Sequence, residues 1–146
     1  MSQNLSSSHC HTIDDKKRIR IPAPFRKILG DNLSMIAGKG GCIIIMPTEE
    51  GEKKLNNAYN GMDEIQPSKI NDKLHREASL QKGMNYQITE DAQGRFVVPP
   101  ILLKYSGITG DIISVGMGNR IEMWAEDRYF KYIEKVIEES SFDVEN

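Results

Sequence analysis

A segment of twelve residues occurs twice in this chain and constrains the fold more than any other feature. It runs from His11 to Pro22 and again from Ile88 to Pro99. The shared residues are Asp14, Arg18 and Pro22 in the first copy and Asp91, Arg95 and Pro99 in the second, 77 positions apart. Two glycine pairs, in Gly38-Lys39-Gly40 and Gly116-Met117-Gly118, repeat at an offset of 78. A spacing that holds to within one residue over half the chain indicates an internal duplication.

The length of 146 residues favours one compact body, which the duplication divides into two similar halves. We expect the first half over residues 9–60 and the second, with a closing helix, over residues 84–139. A helical segment over residues 61–83 connects them, and residues 1–8 and 140–146 are expected to be flexible tails. The sequence therefore predicts a repeat protein and not two unrelated domains.

Composition excludes several classes of protein. The chain is 38% apolar and 27% charged, which is typical of a soluble globular protein. Its longest apolar run, Phe96–Leu103, is far shorter than the roughly 18 residues that cross a bilayer, so no membrane partner is expected. Residues 1–12 are polar and do not resemble a secretory signal. We therefore expect a cytoplasmic protein.

Charge is distributed unevenly along a chain whose net charge is only −2. The segment Lys16–Leu29 contains six basic residues and no acid, whereas Glu126–Asn146 contains seven acids and three bases. A solvated basic face is one interpretation of the first segment. The other is a surface for a phosphate backbone, which the absence of any acid among six bases favours.

Hydrophobic periodicity predicts the same order of elements in both halves. In the first half we expect a strand over Arg18–Ile21, a helix over Ala23–Leu29, a hairpin of Leu33–Ala37 and Cys42–Met46, and a helix from Thr48 to about Tyr59. In the second we expect a strand over Phe96–Val98, a helix over Pro100–Tyr105, a hairpin of Ile112–Val115 and Arg120–Trp124, and a helix over Glu126–Glu139. A further helix after Ser68 is expected to end at Gly83. The fold class is mainly β with peripheral helices.

The repeated Asp-x-x-x-Arg pattern predicts a tight turn before a strand. Asp14 and Asp91 are expected to accept backbone hydrogen bonds and to form the turns structurally, because this is the usual role of such aspartates. The arginines either pair with these aspartates or bind an anion. Lys16, Lys17 and Arg20 surround Arg18, whereas acids flank Arg95. We therefore expect the four bases of the first loop to bind a phosphate backbone and Arg95 to bind it more weakly.

No motif in the chain predicts catalysis. There is no nucleophile elbow, no His-Glu-x-x-His and no recognisable pairing of cysteine with histidine, so we expect neither an enzyme nor a cofactor. The sequence His9-Cys10-His11 brings three possible metal ligands together, but a closed zinc site usually needs four, and a polar strand is favoured. Cys10 and Cys42 are expected to be reduced thiols.

The residues quoted above carry a resemblance to a known family. His11–Arg26, Asp91–Pro100 and the stretch from Leu103 to Trp124 resemble the signature segments of the MraZ family of bacterial transcriptional regulators. The resemblance implies two tandem AbrB-like swapped-hairpin units in one pseudo-two-fold barrel. It also implies a ring-shaped homo-oligomer that is associated with the nucleoid and binds direct repeats in the promoter of division and cell-wall genes.

The resemblance places the DNA-contacting arginine on Arg18 and its counterpart on Arg95. One position departs from the family pattern, because glycine precedes the arginine as Gly94 in the second copy but Lys17 stands there in the first. If a left-handed backbone is needed there, lysine costs about 1 kcal/mol more than glycine, and the first loop is expected to be reshaped. The alternative function is that of an AbrB-like antitoxin or scaffold ring that binds protein and not DNA.

Overall fold

The computed structural model describes residues 4–60 and 73–140, and these form eight strands and five helices. In chain order they are β1 (Ser8–Thr12), β2 (Arg18–Arg20), α1 (Ala23–Leu29), β3 (Leu33–Gly38), β4 (Cys42–Pro47), α2 (Thr48–Asn60), α3 (Lys73–Gly83), β5 (Asn85–Gln87), β6 (Arg95–Val97), α4 (Pro100–Ser106), β7 (Asp111–Gly116), β8 (Ile121–Ala125) and α5 (Glu126–Glu139). None of the described helices is long and apolar enough to cross a membrane.

The leading strand of each half pairs with the hairpin of the other half. β1 of the first half lies beside β7 of the second, and β5 of the second half lies beside β3 of the first. The hairpins themselves join through β4 and β8, which gives an antiparallel sheet in the order β1-β7-β8-β4-β3-β5. The swapped-hairpin arrangement implied by the resemblance is therefore confirmed.

A pseudo-two-fold axis relates the two halves and passes through two residue pairs. Ile19 lies opposite Phe96 in a two-stranded ribbon formed by β2 and β6, and these positions are 77 apart. Ile44 lies opposite Glu122 in the sheet, and these positions are 78 apart. Each residue thus faces its own counterpart from the other copy. The described strands pair as an open sheet and a separate ribbon, so the body closes by packing and not by one continuous ladder.

The hydrophobic core lies on both faces of the six-stranded sheet. Alternation along β4 directs Ile43 and Ile45 to the face covered by the ribbon, where they share a cluster with Phe96. The other face carries Ile44 and Trp124, which belong to a second cluster with Leu55 of α2. Strands buried on both faces read as continuous apolar runs, which is why Leu33–Ala37 and Cys42–Met46 lack polar alternation.

Local patterns predicted most of these elements correctly. The bounds of α1 and α5 are those expected, and Gly30 ends α1 with a φ of 75°. The hairpin glycines Gly40 and Gly41 have φ values of 83° and 92°, and the Gly41 N–H donates to the Gly38 carbonyl at 3.3 Å. The bounds of the strands that we expected differ by at most one residue at either end. The predicted start of a helix at Ser68 lies outside the described residues, although its predicted end at Gly83 is confirmed.

Candidate nucleic-acid interface

A tight turn before β2 is formed by the side chain and backbone of Asp14. Its Oδ1 atom accepts hydrogen bonds from the backbone N–H groups of Lys16 at 3.0 Å and Arg18 at 2.8 Å. The Lys17 N–H donates to the Asp14 carbonyl, and the Asp14 N–H donates to the Arg18 carbonyl, both at 3.0 Å. Because these bonds favour the ionised carboxylate, the backbone N–H of Arg18 above all lowers the pKa of Asp14.

The turn before β6 has the same hydrogen bonds. Asp91 Oδ1 accepts from the backbone N–H groups of Gln93 and Arg95, both at 2.9 Å. The Gly94 N–H donates to the Asp91 carbonyl at 3.0 Å, and the backbone N–H of Arg95 lowers the pKa of Asp91. Both aspartates therefore accept two backbone hydrogen bonds within their own turns.

Lys17 adopts the left-handed backbone conformation of its counterpart Gly94. Its φ is 63°, beside 75° for Gly94, and the turn around it keeps every hydrogen bond of the second copy. The expectation that the first loop is reshaped is therefore wrong. The hydrogen bonds of Asp14 hold the backbone of the turn in place, and Lys17 adopts a strained, left-handed conformation within it. The lysine side chain is exposed, so its charge extends from an unaltered turn.

Replacing Lys17 with glycine is expected to raise the free energy of unfolding by about 1 kcal/mol, since glycine adopts positive φ without steric cost. The reciprocal change, Gly94→Lys, is expected to lower it by a similar amount, because a Cβ there meets nothing closer than 3.9 Å and only backbone strain is added. Urea unfolding of both variants and the parent at equal protein concentration measures this. A lower free energy of unfolding for Lys17→Gly than for the parent would contradict backbone strain at Lys17.

Each arginine is held by the aspartate of its own turn through a single nitrogen. Arg18 Nε donates to Asp14 Oδ2 at 2.8 Å, and Arg95 Nε donates to Asp91 Oδ2 at 2.9 Å. Within the described residues, neither arginine uses Nη1 or Nη2 in a hydrogen bond. The guanidinium plane is thus oriented while its outer donors stay available, so pairing with aspartate and binding an anion are compatible.

The ribbon brings together arginines that are far apart in the sequence. Ile19 and Phe96 point inward and are buried, so alternation places the flanking residues on the outer face. Arg20 lies directly opposite Arg95, and Arg18 lies directly opposite Val97. The side chain of Arg20 is exposed and makes no hydrogen bond or ion pair to any described residue. We call these four outward residues, Arg18, Arg20, Arg95 and Val97, the ribbon face.

One acid near Arg95 is neutralised by a base from the other half. Arg26 of α1 forms an ion pair with Glu90 at 2.5 Å and with Asp31 at 3.1 Å. Glu90 is therefore paired across the pseudo-two-fold axis, and Arg26 is removed from the free basic charges of its segment. The ion pair between Arg26 and Glu90 could not be predicted from the sequence around Arg95, because Arg26 lies in the other half of the chain. Lys16 and Lys17 are exposed beside the first turn.

The possible metal ligands of β1 do not point the same way. His9 and His11 lie on one side of the strand, where His9 packs edge-on against Phe25 with ring centroids 4.9 Å apart. His11 Nε2 is 2.5 Å from the hydroxyl of Ser114 on β7, and Cys10 is exposed on the opposite side. The described residues contain no group of three or more potential metal ligands.

Burial, together with the nearby His9, lowers the pKa of His11 from 6.5 to about 4. The unfolded chain thus takes up a proton at this residue near pH 6.5, while the folded protein resists it until about pH 4. The free energy of unfolding is therefore expected to decrease as the pH is lowered from about 6.5 to about 4, by up to about 1.4 kcal/mol per pH unit. In His11→Gln this contribution should vanish, and urea unfolding from pH 7.5 to 4.5 measures the slopes. Equal slopes in both proteins would contradict the assignment.

The strand order, the swapped leading strands and the paired Asp-x-x-x-Arg turns define a tandem AbrB-like swapped-hairpin protein. Comparison with known sequences agrees with this class. A family model described as "MraZ protein, putative antitoxin-like" matches residues 5–69 and again residues 82–146. The chain belongs to the MraZ family.

Curated relatives of the chain cover nearly its whole length. A protein of Clostridium acetobutylicum named "Transcriptional regulator MraZ" is 33% identical over 135 residues, which are 88% of this chain and 86% of the relative. Proteins with the same name from Clostridium tetani and Bifidobacterium longum are 34% and 30% identical. They cover 84% and 88% of this chain, and 82% of each relative is aligned.

Proposed function

We propose that this protein is a transcriptional regulator that binds promoter DNA through the ribbon face and the adjoining Lys16 and Lys17. The curated relatives bear the name of a transcriptional regulator and not of an enzyme. As the family resemblance implies, the targets would be direct repeats upstream of division and cell-wall genes. The protein would act in the cytoplasm in association with the nucleoid.

The observation that carries the proposal is the position of Arg20 directly opposite Arg95. Like charges facing each other across a ladder destabilise it, and no acid of the described structure pairs with Arg20. A phosphate or a guanine edge would relieve this repulsion and would use the free Nη donors of Arg18 and Arg95. A two-stranded ribbon has the dimensions that fit the major groove.

Self-association into a ring is part of the proposal, because one face of α5 is uncovered. Phe130 and Ile137, seven residues apart on one side of the helix, are 52% and 49% exposed, and α5 buries none of its residues completely. By the internal symmetry α5 corresponds to α2, and α2 contacts α3. Among the described elements, α5 packs against β7 and β8 while Phe130 and Ile137 stay exposed, so we infer that a second copy of the chain covers this face. Several ribbon faces on one ring would then add their binding energies through avidity.

The test is the affinity of the protein for a fluorescent duplex of its own upstream promoter, measured by anisotropy over a series of salt concentrations. We expect the logarithm of the binding constant to fall linearly with that of the salt concentration, because phosphate contacts release counterions. An affinity independent of salt, or equal for promoter DNA and a scrambled duplex, would contradict the proposal. Light scattering on the same samples measures the mass of the oligomer.

A second candidate function is binding of a protein partner, as in an antitoxin or a scaffold ring. The uncovered apolar residues of α5 and the acids around them favour it, as does the family description quoted above. A pull-down from the native host that returns one protein in stoichiometric amount, together with absence of DNA affinity, would favour this function over the first.

A further inference from the structure

The ribbon face departs from its internal symmetry at one position. Arg18 and Arg95 occupy equivalent sites in the two copies, and so do Arg20 and Val97, because each pair is 77 positions apart. The ribbon face therefore presents three arginines and one valine where strict duplication would present four like residues. A valine cannot donate a hydrogen bond to a phosphate, so the second copy carries an apolar group where the first carries a hydrogen-bond donor.

Val97 is not needed by the core. Its side chain is 58% exposed, the largest value among the exposed bulky apolar residues of the described structure. The inward positions of the ribbon are filled by Ile19 and Phe96, which are 1% and 2% exposed. The cross-strand neighbour of Val97 is Arg18, whose guanidinium is oriented by Asp14. An apolar group thus projects into solvent from the middle of the cationic surface.

We propose that Val97 is a specificity-determining residue that contacts the 5-methyl group of thymine when the ribbon face enters the major groove. This inference rests on the DNA binding proposed above and names the base that one position of the ribbon reads. Thymine alone carries a methyl group in that groove, and apolar side chains are its usual partners. Arginine is the usual partner of guanine O6 and N7, so Arg20 and Arg95 would read a guanine on the same face.

The spacing of the ribbon fits such a pair of contacts. Residues two apart on one strand, such as Arg95 and Val97, are separated by about 6.6 Å along it. Successive base pairs rise by about 3.4 Å, so a ribbon lying along the groove places these two side chains about two base steps apart. The site read by each subunit is therefore expected to contain thymine at a fixed short distance from guanine.

The experiment compares two versions of the same upstream promoter duplex, one with thymine and one with deoxyuridine throughout, which lacks only the methyl groups. The parent protein is expected to bind the thymine duplex at least about fourfold more tightly, the value for burying one methyl-sized group. Val97→Ala is expected to lose that preference while it keeps the salt dependence. The matched control is Ile101→Ala, which removes an apolar side chain of α4 that is 45% exposed and lies off the ribbon, and it should keep the preference.

Each other outcome separates the inference from the proposed function. Salt-dependent binding without any preference for thymine would overturn the role of Val97 and leave DNA binding intact. A preference that persists in Val97→Ala would also overturn it, because the methyl groups would then act elsewhere or through duplex stiffness. Absence of DNA binding by the parent protein would overturn both. A change in oligomer mass in Val97→Ala, with the thymine preference kept, would make Val97 a contact between subunits.

Discussion

Replacing Arg18 with alanine is expected to weaken binding to the upstream promoter by about 10-fold to more than 100-fold. A single arginine contact with a base or a phosphate contributes roughly 1–3 kcal/mol. In the proposed ring the loss would recur at every subunit that touches the DNA, because the binding constants of linked contacts multiply. The dependence on salt should become shallower as well, by about one unit of slope for each phosphate contact removed. Anisotropy with the promoter duplex measures both quantities.

The matched control is Lys53→Ala, which removes a positive charge from an exposed site on α2. Helix α2 packs against β3 and β4, and its Leu55 belongs to the second core cluster, on the sheet face away from the ribbon. We expect this variant to bind like the parent. Arg18→Ala should fold normally, because the Asp14 turn is closed by backbone N–H groups that alanine retains. Equal losses in the two variants would indicate a general charge effect and would contradict a specific role of Arg18.

Replacing Phe96 with alanine is expected to lower the free energy of unfolding by about 3–5 kcal/mol. Phe96 is 2% exposed, faces Ile19 on the pseudo-two-fold axis and belongs to the core cluster between the ribbon and the sheet. Its removal takes away buried apolar surface and leaves a cavity in this cluster. Since small domains have a total stability of about 5–15 kcal/mol, the change is a large share of the whole. The shift of the urea midpoint at fixed protein concentration measures it.

The neighbouring change Val97→Ala serves as the control for stability. Val97 points to the outer side of the same strand, and exposed substitutions usually alter stability by less than about 0.5 kcal/mol. If Phe96→Ala had the same urea midpoint as the parent, the ribbon would not be part of the cooperative core.

Most of the elements could be predicted from the sequence because their signals are local. The apolar positions and the terminal glycine of α1, and the glycine turn of the first hairpin, each lie within a few residues of the element they define. Strand β5 was missed because Asn85-Tyr86-Gln87 is short and lacks apolar alternation. It is a strand only because β3, about fifty positions earlier, offers it an edge.

The arrangement of the candidate interface depended on contacts that no local pattern contains. Arg20 and Arg95 meet because the ribbon pairs two segments 75 positions apart, and Glu90 is neutralised by Arg26 from the other half. The sequence indicated the cationic first loop but ranked Arg95 by its immediate neighbours alone. The sequence also predicted a reshaped loop at Lys17. The preference of single residues for a left-handed backbone does not take into account the four hydrogen bonds that hold this turn.

The exchange of leading strands has a consequence for how the protein is made. His11 of β1 and its partner Ser114 of β7 are 103 positions apart, so at 5–20 residues per second a ribosome makes the second about 5–20 s after the first. During that interval β1 has no neighbour in the sheet. Exposed apolar strand edges promote aggregation. The five residues of β1 are polar or small, so the unpaired strand is a poor template for aggregation during this interval. The nascent first half therefore stays incomplete until β7, at residues 111–116 of 146, has been synthesised.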